Sequence, residues 1–491
     1  MKRRQFLKLS AAAAAGCALP SCMHLTPRYA PREGLAPRAE PLLLTNANFV
    51  DVGRGALRPE RAAYLRDGRI AELFPPQGDR ALPSCRTLDL RGAYVIPGLI
   101  NAHCHITMPG ALAFSPKLIF AYERQIERNA EECVKHGVTT IRDMLAMDDA
   151  LTALAAKISV GQVVGPRIRW CCALDVPRGY AAGMSIAPQE RFAQTVNTPA
   201  AGRAAVARAA DAGADFIKLF QQPKALLMPG AALPVMDLPT VAAVCDEAAK
   251  RGRIVALHHT GAAGFHKGLD GGAATMEHMV SDRLLTDEEI AAAKMRGAAF
   301  IPTASVAFSL AYRMAGDPNW GRGFLPQMVE RRKAFMPELI REFAEPDLAD
   351  STLSYFHELS DPSSYQIKHL FPWPLPTVFT AAATNGAANA LALYKAGAPM
   401  GCGNDGGVPL IFPGAMHLEM TLLEEVGFAP ADVLRMATID NARLLGLDAM
   451  LGSIEVKKIA DLAVYEKNPL DPSPHVRRPF LVLQEGRVVY S

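Results

Sequence analysis

From residue 94 onward the chain repeats one pattern, in which an apolar run of strand length is followed by an Ala-rich stretch with helical periodicity and then by another run. The runs are YVIPGLINAH (94–103), VTTIRDM (138–144), RIRWCCAL (167–174), DFIKLF (215–220), RIVALHH (253–259), ATMEHM (274–279), AAFIPT (298–303) and APMGCGND (398–405). Between several of them lie segments such as PTVAAVCDEAAKRG and TDEEIAAAKMRG, where a basic residue and then Gly mark a helix stop. Strands alternating with helices in this way predict an α/β fold, a parallel (β/α)8 barrel of the TIM type.

The two ends of the chain read differently. LLLTNANFVDV and AAYLRDGRIAELFP near the start, with ADLAVYEKNP and FLVLQEGRVVYS at the close, are short strands split by turns at Gly53, Gly55, Asp67-Gly68 and Glu485-Gly486. They predict one small β-sandwich built from residues 41–97 plus 448–491, flanking a barrel over 98–447. One long stretch interrupts the alternation, residues 303–375, rich in Arg, Glu, Phe and Pro. It is expected to be a mostly helical insertion over the barrel mouth, serving as a lid or as the subunit contact of a homo-oligomer.

Composition narrows the partners. Half of the 491 residues are hydrophobic, and 52 basic residues face 49 acidic ones with a net charge of +3. The charges are interspersed, so the chain lacks the basic stripe of a nucleic-acid binder and a small-molecule substrate is expected. The N-terminus, MKRRQFLKLSAAAAAGCALPSC, carries paired arginines and an apolar run far short of the ~20 residues that span a bilayer. It reads as an export signal over residues 1–21, followed by a Pro-rich linker over 22–40. RRQFLK resembles a twin-arginine signal. LPSC resembles a lipoprotein cleavage site, which would leave a lipidated Cys22 as the one membrane attachment; an ordinary secretory signal is the competing reading. The cysteines beyond it (85, 104, 133, 171, 172, 245 and 402) show no paired spacing, and no disulfide framework is expected.

Ligand-type residues recur at the ends of the runs, where barrel enzymes gather their functional side chains. His103 and His105 are two apart, so on a strand they share a face. Lys218 sits among apolar neighbours that would lower its pKa. As a neutral amine it could react with carbon dioxide to form an anionic carbamate ligand; the alternative is a lysine that snorkels to the rim. His258 and His259 point to opposite faces. If the small Ala256 faces the axis, Ile254 and His258 face it too, leaving His259 at the rim within reach of substrate. ATMEHM adds His278, with Glu277 pointing away, and GCGNDGG ends the last run on Asp405 among glycines. Such nitrogen and oxygen donors suit zinc, then manganese, iron, cobalt or nickel.

GAYVIPGLINAHCHI, HGVTTIRDM and ATIDNARLLGLDAMLGSIEVKKIADLAVYEKNPL together resemble the amidohydrolase superfamily over nearly all of the mature chain. The resemblance implies two divalent ions, zinc foremost. His103 and His105 would bind the first, His258 and His278 the second, with carboxylated Lys218 bridging both. Asp405 would bind the first ion and carry the proton, and His259 or His278 would steady the oxyanion. The implied activity is cleavage of an amide C–N bond in a small substrate, such as a dipeptide or N-acyl amino acid, by a metal-activated hydroxide.

Exported dipeptidases of the prolidase type are nearest in appearance, but two loops depart from them. CCALDVPRGYAAGMS lacks a Gly-Gly-His pattern, and QQPKALLMPGAALP lacks a glycine pair. Both loops border the substrate, so its class stays open, with Arg178 and Tyr180 as candidates for a substrate carboxylate. A one-metal cyclic amidase or deacetylase, and a non-catalytic lipid-anchored binding protein, are the alternatives. The presence of all six candidate ligands argues against the last.

Overall fold

The computed structural model describes residues 40–75, 85–111, 117–145, 148–183, 189–224, 232–311, 318–319, 321–323, 325–360, 376–472 and 478–491. The signal, Cys22 and the linker up to residue 39 lie outside them.

The eight expected strands are present, and they close a barrel. Seven form a continuous parallel path: Leu99–Cys104, Val138–Asp143, Arg167–Asp175, Phe216–Phe220, Ile254–His258, Thr275–Glu277 and Ala299–Ile301. The eighth stave, residues 400–406, lacks a regular ladder. It is bridged on one side between Phe300 and Met400 and on the other between Cys104 and Gly406. Asp405 N donates to His103 O at 2.8 Å and His105 N to Gly406 O at 2.6 Å.

Three buried asparagines complete this seam. Asn101 Nδ2 donates to Asn404 Oδ1 (2.7 Å), and Asn404 Oδ1 accepts from Gly406 N (2.9 Å). Asn441 Nδ2 donates to Ile100 O (2.6 Å) and Cys402 O (2.7 Å), while its Oδ1 accepts from Cys402 N (3.1 Å). Glycine is required at 403 because a Cβ there would lie 2.5 Å from the backbone nitrogen of His103.

The barrel helices begin and end where local chemistry dictates. In Asp287–Arg296 a Thr286/Glu289 capping box starts the helix and Gly297, at φ 69°, stops it. Asp237 caps Leu238–Lys250, and Gly252 follows its end at φ 64°. Their apolar faces join the strands in one large core.

Both termini contribute to two further sheets. One pairs Arg69–Phe74, Ala62–Arg66, Leu42–Thr45 and Arg86–Asp89; the other runs from Arg487–Tyr490 through Leu481–Gln484, Leu462–Tyr465 and Tyr94–Pro97 to Asn48–Asp51 and Ala56–Leu57. Leu44, Leu65, Val95, Val464 and Leu483 meet in a shared core between them. Within the stretch expected to be inserted, the described residues include the helices Ala304–Leu310, Leu325–Phe343 and Pro346–Ser360. A helical run follows over 376–395, broken by a π-helical turn at Ala382–Gly386. The seven cysteines among the described residues are all free thiols.

Candidate active site

Period-two alternation brings His103 and His105 to the same face at the end of the first strand, their rings 5.6 Å apart. Each imidazole is held through Nδ1, His103 by Glu277 Oε2 at 2.6 Å and His105 by the carbonyl of Leu145 at 3.2 Å. Those partners assign the proton to Nδ1 and leave both Nε2 atoms as lone-pair donors. The two Nε2 atoms approach Asp405 Oδ1 at 3.2 and 2.9 Å, yet neither approach has hydrogen-bond alignment.

Asp405 sits at φ 55°, a left-handed turn that swings its carboxylate back over the barrel axis. Burial alone would raise its pKa. The neighbouring His103, His105 and His278 outweigh burial and hold it well below the usual carboxylate range. His278 reaches the same centre by a similar turn, at φ 69°, immediately after its strand ends. Its Nδ1 meets Thr303 Oγ1 at 2.7 Å, and the donor atoms of His103, His278 and Asp405 lie within 4.8 Å of one another.

His258 faces inward, as Ile254 and Ala256 do on the same strand. Its ring stacks on Tyr180 at 4.6 Å and meets His278 edge-on at 4.5 Å, while its Nε2 is buried without a hydrogen-bond partner. Burial, then the nearby His278 and Lys218, push the His258 pKa well down; burial does the same for His278. Both imidazoles are therefore neutral, the form that binds metal. Lys218 is 1 % exposed, and its Nζ has no hydrogen-bond partner. Burial pulls its pKa down to about 8, and its charge is felt by His105, His258, His278 and Asp405.

Two expectations are corrected. Glu277 does not point away: Thr275 and Glu277 are the inward pair of their strand, and Met276 packs outward beside Leu257 and Gly268. Glu277 is fully buried and is shared by His103, by Arg142 Nη1 at 3.2 Å and by Thr275 Oγ1 at 2.5 Å. Burial would raise its pKa, but Arg142 and His103 hold it far below the ordinary value. Nor is His259 a rim residue in reach of substrate. It is 0 % exposed, lies edge-on to Phe265 of the covering helix, and burial lowers its pKa to about 4.

Sequence reasoning also missed Thr303 and Glu419. Thr303, at φ 51°, precedes the helix Ala304–Leu310, and Glu419 caps that helix by accepting from Ala304 N, Ser305 N (both 2.8 Å) and Ser305 Oγ (2.7 Å). A lone buried Glu inside MHLEMTLLEEV was the available signal. Arg178, by contrast, is exposed and lies outside the cavity that opens from the site, whereas Tyr180 lines it.

The donor set fits a metal centre. Lys218 Nζ, His258 Nε2 and Asp405 Oδ1, buried atoms of ligand type without a hydrogen-bond partner, lie beside imidazoles locked in the ligating tautomer; both ring nitrogens of His259, on the outer face of the strand, are likewise unpartnered. A profile of the amidohydrolase family matches residues 94–490, from the last strand before the barrel to the end of the β-sandwich. The chain belongs to the amidohydrolase family. Members of this family are generally metal-dependent, and this amidohydrolase is a hydrolase of carbon–nitrogen bonds.

A profile of twin-arginine translocation signals matches residues 1–20 of the amidohydrolase, which therefore carries an export signal. It is similar to the crystal structure of a putative prolidase from Bifidobacterium longum, at 28% identity and TM-score 0.65 over 93% of this chain and 96% of that one. It shares its fold with a Xaa-Pro dipeptidase crystallised with bound methionine, at 20% identity and TM-score 0.67 over 92% of this chain and all of that one. A dihydroorotase from Ruminiclostridium cellulolyticum is 33% identical over 103 residues, 21% of each chain, so the match spans about a fifth of that relative's length.

Proposed function

We propose that this amidohydrolase is a metal-dependent hydrolase of an amide bond in a small substrate, with dipeptides and N-acyl amino acids the first classes to test. The observation that carries the reading is the set of unpartnered buried atoms, Lys218 Nζ, His258 Nε2 and Asp405 Oδ1, gathered among fixed imidazoles. His103, His105 and Asp405 would hold one ion and His258 with His278 a second, with Lys218 as its carbamate supplying an anionic oxygen ligand to the site. With its pKa near 8, about a tenth of Lys218 is a neutral amine at pH 7, the form that reacts with carbon dioxide. Zinc matches this mixture of imidazole and oxygen donors.

Divalent ions held there would supply a water activated near neutral pH and a Lewis acid for the substrate carbonyl. Asp405, ionised and adjoining both histidines, takes the proton of the attacking water and delivers it to the leaving nitrogen. Glu277 keeps His103 oriented throughout. His259, sealed behind the barrel wall, takes no part.

Residues 1–21 are assigned as the removed signal, Cys22 as a lipidated first residue, and 41–97 with 448–491 as the small β domain beside a barrel over 98–447. The test is amine release from a panel of dipeptides, N-acyl amino acids and cyclic amides by the zinc-loaded protein, with Asp405→Asn alongside. Turnover by the wild type alone supports the reading. Equal turnover by both proteins, or none across the panel with metal bound, refutes it.

A further inference from the structure

The cavity that opens from His258, His278 and Asp405 is of about 170 Å³ and has one wall of unusual character. Val306, Ala307 and Leu310 line it from the helix that Glu419 caps, and Phe379, Ala383 and Ala387 line it from the helical run packed beside that helix. The π-helical turn at Ala382–Gly386 widens the face that this second run presents, and such turns recur at functional sites. Small side chains on that face leave room that larger ones would fill.

The polar part of the lining is Tyr180, Gln222, Thr260, Ser281 and Thr303, together with the two histidines and Asp405. Among the described lining residues there is no Lys or Arg. The one fixed full charge among them, Asp405, is negative. A carboxylate seated against the apolar wall, away from the ions that the histidines and Asp405 would hold, would be desolvated against hydrocarbon with no Lys or Arg among the described lining residues to pair it. A hydrocarbon group would instead leave water for a wall that already excludes it, the usual arrangement of a small-molecule pocket with a few convergent polar groups.

From this wall we infer that the part of the substrate seated in the cavity is an uncharged hydrocarbon group, so that the protein prefers neutral amides to analogues carrying a carboxylate there. This rests on the hydrolase reading above and narrows it. Of the two residues expected to bind a carboxylate, Arg178 is exposed outside the cavity, and Tyr180, which lines it, brings a neutral hydroxyl rather than a cation.

The experiment compares kcat/KM of the zinc-loaded protein for hexananilide, for 4-hexanamidobenzoate and for the monoanilide of adipic acid, which place a carboxylate at either end of one neutral amide. Hexananilide is expected to exceed at least one of the charged pair by tenfold or more. Ala387→Phe, which fills the partly exposed wall, is expected to raise KM for hexananilide at least tenfold with a smaller change in kcat. Ala387→Arg should shift the preference toward the disfavoured carboxylate. If both charged anilides are cleaved as well as hexananilide, the inference is overturned while the hydrolase reading stands. If no anilide is cleaved, calorimetric binding of hexananilide to the Asp405→Asn protein decides. Binding that Ala387→Phe abolishes sustains the cavity assignment although hydrolysis of this class fails, and no binding overturns it.

Discussion

Replacing Glu277 by Gln removes one charge from the middle of the barrel and nearly nothing from its volume. At 3.2 Å, with an effective dielectric constant near 20, the attraction between Arg142 and Glu277 is about 5 kcal/mol. Arg142 is fully buried, so the substitution strands a guanidinium where water cannot reach it, and the metal-free protein should lose about 3–5 kcal/mol of stability. A separate loss falls on the site. The amide is a weaker acceptor for His103 Nδ1, now 2.6 Å from a carboxylate oxygen, and loss of such a support costs about 10–100-fold in metal affinity. Urea unfolding of chelator-treated protein reads the first effect, and competition with a chromophoric chelator reads the second. The double variant Arg142→Met/Glu277→Gln separates them: without the stranded cation, stability should return most of the way, while metal affinity stays low. A stability loss under about 1 kcal/mol with no coupling between the two positions would refute the charge argument. Unchanged metal affinity would refute the role assigned to Glu277 in holding His103.

Further outcomes follow from other buried groups. Lys218→Met should bind at most half the metal of the wild type and lose the carbamate carbon signal that 13C-bicarbonate gives in nuclear magnetic resonance; a full metal complement would exclude the bridge. Glu419→Ala leaves three donors of the helix start without an acceptor and should cost about 2–4 kcal/mol, read by denaturant unfolding. Burial raises the Glu419 pKa from 4.5 to about 7, so its favourable contribution is complete below about 4.5 and fades as pH rises through 7; Glu419→Gln should flatten stability over that window. His259 runs the other way. Its pKa falls from 6.5 to about 4, so the unfolded chain takes the proton first and stability drops as pH falls from 6.5 to 4; His259→Leu should remove that drop and leave turnover unchanged.

All eight barrel staves were legible because each is an apolar run bounded by polar or glycine-rich turns, and period two correctly paired His103 with His105 and set His258 inward. The errors arose where a strand ends. His278 and Asp405 enter the site from left-handed turns at non-glycine residues, a conformation that local sequence does not announce. Taking His278 as a strand residue turned Glu277 outward on paper; in the fold the strand stops at Glu277, which looks in. His259 was placed at the rim because nothing in RIVALHH tells that Phe265, in the next helix, will close over it. The support given by Thr303 and Glu419 was hidden for a related reason: their partners lie far along the chain, Glu419 being 114 residues from Ser305.

The asparagine seam fixes an order of events during synthesis. Asn101 waits for Asn404, 303 residues later, and Ile100 waits for Asn441, 341 residues later. Until residues 400–406, some five-sixths of the way along the chain, have been made, His103 has no closing stave beside it and Asp405 has no wall to stand on. A nascent chain therefore exposes five of the six candidate ligands before Asp405 joins them, behind a signal read by a translocase of folded cargo. An ion bound at closure would then come from the pool on the inner side of the membrane, before the folded protein is exported.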